Sequence, residues 1–160
     1  MKKKVMGLIC MAGISMLLSS CRSSSTLPSY SFETECLGVE LDGSQTLQVW
    51  GKGRNRADAV EQAKKNAVRD VLFNGIRAGS GECNVRPLVT EVNAQEKYES
   101  YFNGFFKDRG PYRKFVNTKD TKTNSAVRAD DRTRTLYGIT VRVLRSELKQ
   151  RLINDGILKP

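Results

Sequence analysis

The first twenty residues constrain the fold more than any other part of the sequence. Lys2, Lys3 and Lys4 precede residues 5–18, which are apolar or small throughout. A helix of this length spans about 21 Å, which is shorter than the ~30 Å hydrocarbon core of a bilayer. The pattern is typical of a secretory signal peptide that is removed after export. We therefore expect residues 1–20 to take no part in the folded domain.

The end of this segment indicates a lipid attachment site. Residues Leu18-Ser19-Ser20-Cys21 resemble the lipobox of bacterial lipoproteins, in which small residues precede the acylated cysteine. The resemblance implies that Cys21 carries the lipid and that residues 21–35 form a tether. Arg22 stands where the inner-membrane retention signal of that family has aspartate, so the resemblance implies an outer-membrane anchor with a periplasm-facing domain. The alternative is a plain secretory signal in which Cys21 is an ordinary thiol.

Composition limits what the rest of the chain can be. The 160 residues include 27 Lys or Arg, 17 Asp or Glu and no His, which gives a net charge of +10. A chain of this length suits one domain, which we expect over residues 36–160. Without histidine, the chain cannot form a Ser-His-Asp triad, a Cys-His pair or an imidazole zinc site. We expect neither a metal nor another cofactor.

Two cysteines remain once Cys10 leaves with the signal and Cys21 takes the lipid. These are Cys36 and Cys83. An even pair in an oxidising compartment favours a disulfide. Two separate buried thiols are the alternative. Neither cysteine belongs to a CxxC motif, so the sequence does not indicate thioredoxin-type redox chemistry.

The first half of the domain predicts a hairpin and a helix. Two strand-like runs, residues 36–41 and 45–51, flank the turn Asp42-Gly43-Ser44. Asn55 is the predicted N-cap of a helix that ends at Gly75, with Gly75 in a left-handed conformation. Its apolar positions recur at helical spacing, and three of them are small. They are Ala59, Val60, Ala63, Ala67, Val68, Val71 and Leu72.

The second half predicts a further helix, two strands and a last helix. Asn93 and Glu96 form a capping-box pattern, and five aromatic residues follow before Gly110-Pro111. Residues 112–118 and 133–143 are predicted strands, and the polar residues 119–133 a loop. The sequence therefore predicts an α+β fold: an antiparallel four-stranded sheet with helices packed on one face, in the order β-β-α-α-β-β-α.

Several of these features together resemble a known family. A strand ends in Gly51-Lys52-Gly53, alanines 59, 63 and 67 follow at four-residue spacing, and a strand over 137–143 leads into a leucine-rich helix. This arrangement resembles the small outer-membrane lipoproteins whose domain is shared with the N-terminal part of FlgT-type flagellar assembly proteins. The resemblance covers residues 45–75 and 112–155. It implies an envelope scaffold or assembly role without catalytic residues.

Aromatic and basic side chains are the candidate contacts for a partner. Tyr101 and Phe105 belong to a helix with more rings than one buried stripe needs, so we expect both to be partly exposed. Residues 107–134 are rich in Lys and Arg, and within them Tyr112, Arg113 and Lys114 are the first choice for a binding surface. Core packing of the rings and an ordinary solvated basic face are the alternatives.

The predicted function follows from the predicted export and lipid attachment and from the basic charge of the chain. We expect a non-enzymatic, membrane-anchored lipoprotein that acts as a scaffold or binding module for an envelope protein complex or an anionic envelope polymer. Nucleic acid is not the expected partner, because the chain is predicted to be exported. The alternative is a small periplasmic hydrolase or transferase that uses serine or carboxylate residues.

Overall fold

Two long antiparallel strands form the centre of the structure. The computed structural model describes residues 32–118, 127–131 and 134–159, and the chain from Phe32 onward forms one compact unit. In that unit β2 (Gln45–Gly53) pairs with β6 (Arg134–Val143) over nine positions, from Gln45 opposite Val143 to Gly53 opposite Thr135. The predicted lipid site Cys21 and the predicted signal lie outside the described residues. No helix among the described residues has the length and apolarity needed to cross a bilayer.

Shorter strands flank this central pair. They are β1 (Glu35–Val39), β3 (Ala78–Gly79), β4 (Val116–Asn117) and β5 (Val127–Asp131). The sheet order is β3-β1-β2-β6-β4, and β5 also pairs with β6. Both β4 and β5 lie antiparallel to β6, β4 beside its end and β5 beside its start.

The α+β class is confirmed, but the predicted four-stranded antiparallel sheet is wrong in two respects. The described residues form six strands, and β3 runs parallel to β1. Strand β3 is too short to show a periodicity, and residues 127–131 were predicted to be loop because they are polar. At Gly79 (φ 89°) a side chain would clash with the backbone of Cys36, so only glycine allows this close parallel contact.

Most of the helices lie in sequence between β2 and β4, and the last helix follows β6. They are α1 (Arg56–Arg69), continued by a π-helical turn at Asp70–Asn74, α2 (Ala94–Lys97), α3 (Glu99–Phe105), a 3₁₀ helix at Pro111–Phe115 and α4 (Arg145–Asn154). The predicted cap of α1 is confirmed, because the Asn55 side chain accepts a 2.9 Å hydrogen bond from the Asp58 amide. Gly75 has a positive φ of 74°, but its ψ of 166° lies outside the left-handed helical region that was predicted.

The predicted cap of the second helix is wrong. Asn93 is itself left-handed (φ 59°), and its side chain makes no capping hydrogen bond. A capping side chain needs an extended backbone to reach the free amides of the first turn. The helix is also interrupted at Tyr98, where φ is −111°, so it forms two short helices instead of one.

The strand predicted over residues 112–118 is wrong for most of its length. Residues Pro111–Phe115 form a 3₁₀ helix, and only Val116 and Asn117 pair with β6. Tyr112 and Phe115 are both buried, and a 3₁₀ helix places residues three apart on the same side. Burial of these two rings therefore favours the helical turn over the extended form.

The core lies between α1 and one face of the sheet. Ala59, Ala63 and Ala67 are fully buried, as the helical spacing predicted. Opposite them, a side chain at Gly51 would come within 2.0 Å of the Ala59 carbonyl oxygen and 2.4 Å of the Ala63 nitrogen. The small residues on both elements thus allow helix and strand to touch through their backbones.

The predicted disulfide is confirmed. Cys36 and Cys83 are bonded, their sulfurs 2.03 Å and their Cα atoms 5.8 Å apart. Both residues are buried in the hydrophobic core. The bond links strand β1 to the loop that follows β3, 47 residues away in sequence.

Candidate functional site

Two of the predicted binding residues, Tyr112 and Arg113, meet at the side chain of Glu61. The Tyr112 hydroxyl donates a hydrogen bond to the Glu61 carboxylate. Arg113 Nε lies 2.8 Å from Glu61 Oε1, and Arg113 Nη2 donates to Oε2 at 3.0 Å. This two-pronged pairing fixes the guanidinium plane as well as its position.

Helix α1 and the 3₁₀ helix bring these groups together. Glu61 and Lys65 lie one turn apart on α1, and the 3₁₀ helix presents Tyr112 to both of them. The ring of Tyr112 stacks on Phe106 at a centroid distance of 5.9 Å, and the Lys65 ammonium lies 5.7 Å from the ring centre. Lys65 Nζ also contacts Asp108 Oδ1 at 2.7 Å. The contacts tie the segment after α3 to α1.

The ionisation states of this group are set by its neighbours. Partial burial raises the pKa of Glu61, but the hydrogen bonds from Arg113 and Tyr112 outweigh it and hold that pKa below its usual value. Burial and the adjacent Glu61 carboxylate both raise the pKa of Tyr112. At neutral pH the carboxylate is therefore ionised and the phenol is a proton donor.

A cavity of about 420 Å³ lies beside these residues, and we call it the charged cleft. It is lined by Arg54, Ala57, Asp58, Glu61, Gln62, Lys65, Asp108, Arg109 and Arg113. Three of its four cations face an acidic partner, which brings the cleft close to electrical balance. Arg109 is the fourth, and it has a left-handed backbone with φ of 59°. The cleft therefore presents oriented charged side chains to a polar or anionic ligand.

Two of the rings predicted to contact a partner, Phe105 and Tyr112, lie instead in the core, whereas Tyr101 is partly exposed as expected. Phe105 is only 3% exposed and Tyr112 is fully buried, so neither ring can contact a partner. Phe105 packs against Tyr101 and Phe115 at centroid distances of 5.9 Å and 6.0 Å. Tyr101 is half-buried, and its hydroxyl donates to Asp155 Oδ2 at 2.6 Å. The sequence does not distinguish these outcomes, because periodicity shows a stripe but not what covers it.

The two basic residues predicted to contact a partner, Arg113 and Lys114, are both exposed. Arg113 belongs to the charged cleft, whereas Lys114 does not line it. Much of the basic region 107–134 cannot be placed, since residues 119–126 and 132–133 lie outside the described part of the chain. Across the described residues, no group of three or more potential metal ligands comes together.

A second cavity, of about 620 Å³, was not predicted from the sequence. We call it the basic groove, because three lysines line it together with apolar and polar side chains. The lining residues are Leu88, Thr90, Glu91, Lys97, Tyr98, Lys149, Gly156, Ile157, Leu158 and Lys159. They come from three separate stretches of sequence, so no local pattern could have identified the groove.

No protein-family model, curated protein or solved structure matches this chain. Its function is therefore inferred from its residues and their geometry.

Proposed function

We propose that this chain is a non-enzymatic lipoprotein of the bacterial envelope that serves as a scaffold or binding module for an envelope protein complex or an anionic envelope polymer. The observation that carries the proposal is Leu18-Ser19-Ser20-Cys21, directly after an apolar segment and ahead of a compact unit that begins at Phe32. The role also agrees with the resemblance to the small outer-membrane lipoproteins related to FlgT-type proteins.

The lipid on Cys21 would keep the domain at a membrane surface. Each buried methylene contributes about 0.8 kcal/mol, so an anchor of several acyl chains holds firmly where one chain does not. Residues 22–31 separate the anchor from the compact unit, and even fully extended they reach only about 35 Å. The domain then works within reach of the membrane on its periplasmic side.

The charge of the domain suits an anionic envelope partner. Without the three lysines of the predicted signal the net charge is 24 − 17 = +7. Arg54, Arg109 and Arg113 line the charged cleft, and Arg109 is the one among them that faces no acidic partner in the described part of the chain. Arginine recognises carboxylate and phosphate groups through two parallel hydrogen bonds. Because the charges are largely exposed, binding through this cleft weakens as salt rises.

The chemistry of the charged cleft favours binding over catalysis. A general acid or base works best when its pKa lies near the operating pH. The pKa of Glu61 is lowered, and both of its oxygens are held by Tyr112 and Arg113. Such a carboxylate is a weak base at neutral pH and is suited to holding Arg113 in place.

Replacement of the predicted lipid site tests this proposal. We expect Cys21→Ser to abolish incorporation of an alkyne-labelled palmitate and to move the protein from the membrane to the soluble fraction. The matched control is Cys10→Ser, because Cys10 lies within the apolar segment and is predicted to leave with it. The control should label and fractionate like the parent chain. Retention of label and of membrane attachment by Cys21→Ser would show that the proposal is wrong.

A further inference from the structure

The N-terminal hairpin differs sharply in charge from the rest of the chain. Residues 32–51 contain four acidic residues and no Lys or Arg, in a chain whose net charge is +10. The described residues include six large exposed hydrophobic side chains, and four of these fall between residues 32 and 41. An exposed apolar surface bordered by charge is typical of an interaction site.

We call the exposed residues of this segment the acidic strip: Glu33, Glu35, Leu37, Val39 and Leu41. A register shift between Cys36 and Gly38 places Glu35 opposite Gln48 but Val39 opposite Gln45, so the segment exposes side chains on both faces of the strand. Leu37 is 50% and Val39 is 40% exposed. Glu33 and Glu35 are exposed and meet no cation in the described part of the chain. The neighbouring Glu40 differs, because it pairs with Arg142 at 3.3 Å.

The basic groove has the complementary chemistry. Glu91 is its one acidic lining residue, and Lys97 Nζ already contacts Glu91 Oε1 at 2.5 Å. Lys149 and Lys159 are exposed and face no acidic partner within the described ranges. Leu88 and Leu158, both partly exposed, supply apolar surface in the same groove. The groove therefore suits an acidic segment that carries aliphatic side chains.

We propose that copies of this chain associate head to tail, with the acidic strip of one copy docked in the basic groove of the next. Charge and apolar character match on the two surfaces. None of residues 32–41 lines the groove, so within one chain the strip does not occupy it. The two surfaces differ, so the contact is heterologous and builds a ring or an open chain of copies. This inference goes beyond the proposed function and does not depend on lipidation.

The association is expected to be weak and sensitive to salt. The strip is small, and exposed ion pairs contribute little each. Anchoring on one membrane would raise the local concentration of the copies and promote the same contact. In solution, the weight-average mass should therefore rise with protein concentration and fall between about 0.05 M and about 0.5 M NaCl.

Sedimentation of a soluble chain that begins at Arg22 tests the inference, since this chain retains the whole compact unit and its disulfide. We expect Glu35→Lys alone and Lys149→Glu alone each to weaken association by about fivefold to tenfold. An equimolar mixture of the two variants should restore it. In the mixture the unchanged strip of one variant meets the unchanged groove of the other, and the altered strip meets the altered groove with the two charges exchanged. Thermal unfolding verifies that each variant is folded.

The matched controls change charge elsewhere on the surface. Lys114→Glu and Glu99→Lys lie outside both the strip and the groove, and should leave the association constant unchanged. The inference is overturned if the parent chain remains monomeric at every concentration, if Lys149→Glu associates like the parent, or if the mixture does not regain association. Because the soluble chain carries no lipid, these results are independent of the test of the anchor.

Discussion

At the scale of single residues, Tyr112 shows how a side chain can join the core to a surface site. Its ring is fully buried against Phe106, and its hydroxyl donates to Glu61. A buried hydroxyl without a partner would cost about 1–3 kcal/mol, so the pairing with Glu61 is part of the packing. Tyr112 was predicted to contact a partner directly. Its place in the structure is instead to hold Glu61 and, through it, Arg113.

We expect Glu61→Gln to be less stable than the parent chain at pH 7 by about 1 kcal/mol, because a charged acceptor for Tyr112 and Arg113 is lost. The folded pKa of Glu61 lies below its ordinary value of 4.5. Its stabilising contribution is therefore complete above the unfolded pKa and is lost as pH falls through the folded pKa. Urea unfolding at a series of pH values measures this.

The matched control is Glu147→Gln, an exposed acid with no ion pair in the described part of the chain. Its free energy of unfolding should stay within about 0.5 kcal/mol of the parent at pH 7. A stability loss in Glu61→Gln that persists unchanged well below pH 4.5 would contradict the role given to the carboxylate.

At the scale of elements, the contact between α1 and β2 was largely predictable. The alanines at positions 59, 63 and 67 belong to the apolar face that helical spacing predicted, and all three are buried. The role of Gly51 comes from the structure, since its missing side chain leaves room for the backbone of α1. The two short helices after Asn93 were less predictable, because their aromatic residues pack against several elements at once.

Gly51→Ala should destabilise the fold by about 3 kcal/mol, because the new methyl group would collide with backbone atoms of Ala59 and Ala63 that cannot move independently. The matched substitution is Gly104→Ala in α3, where nothing lies within 4 Å of the added carbon. That variant should gain about 0.5–1 kcal/mol from better helix propensity. Chemical unfolding of both variants compares them, and equal stabilities would show that α1 and β2 do not touch as described.

At the scale of the whole molecule, one covalent bond spans much of the compact unit. The Cys36–Cys83 disulfide joins the strand at one side of the sheet to the loop beyond its parallel partner β3. It closes a long stretch of chain that includes β2 and all of α1. Loss of this crosslink raises the conformational entropy of the unfolded chain far more than that of the folded chain.

Removal of the disulfide by Cys36→Ala with Cys83→Ala should lower the free energy of unfolding by about 4 kcal/mol, on the chain-entropy account for a loop of this length. Urea unfolding with and without a reducing agent measures the effect. The reductant should destabilise the parent chain and leave the double variant unchanged. A parent chain indifferent to reduction would contradict a crosslink that stabilises the fold.

The amino-acid sequence by itself determined what depends on neighbouring residues. The order of charge, apolar run and small residues around Cys21 carries the expectation of export and lipidation. Helical spacing predicted the buried face of α1, and the turn at Asp42-Gly43 predicted the hairpin. Elimination left Cys36 and Cys83 as the candidate disulfide pair, and the structure shows the bond. Each of these inferences uses a local pattern or a count, and none requires knowledge of what packs where.

Only the tertiary structure decided the features that join distant segments. It placed the rings of Phe105 and Tyr112 in the core, made β3 a parallel neighbour of β1, and gathered Lys97, Lys149 and Lys159 around one groove. The physical reason is the same in each case. A local pattern shows that a face is apolar or charged, but the partner of that face comes from elsewhere in the chain and is chosen by packing.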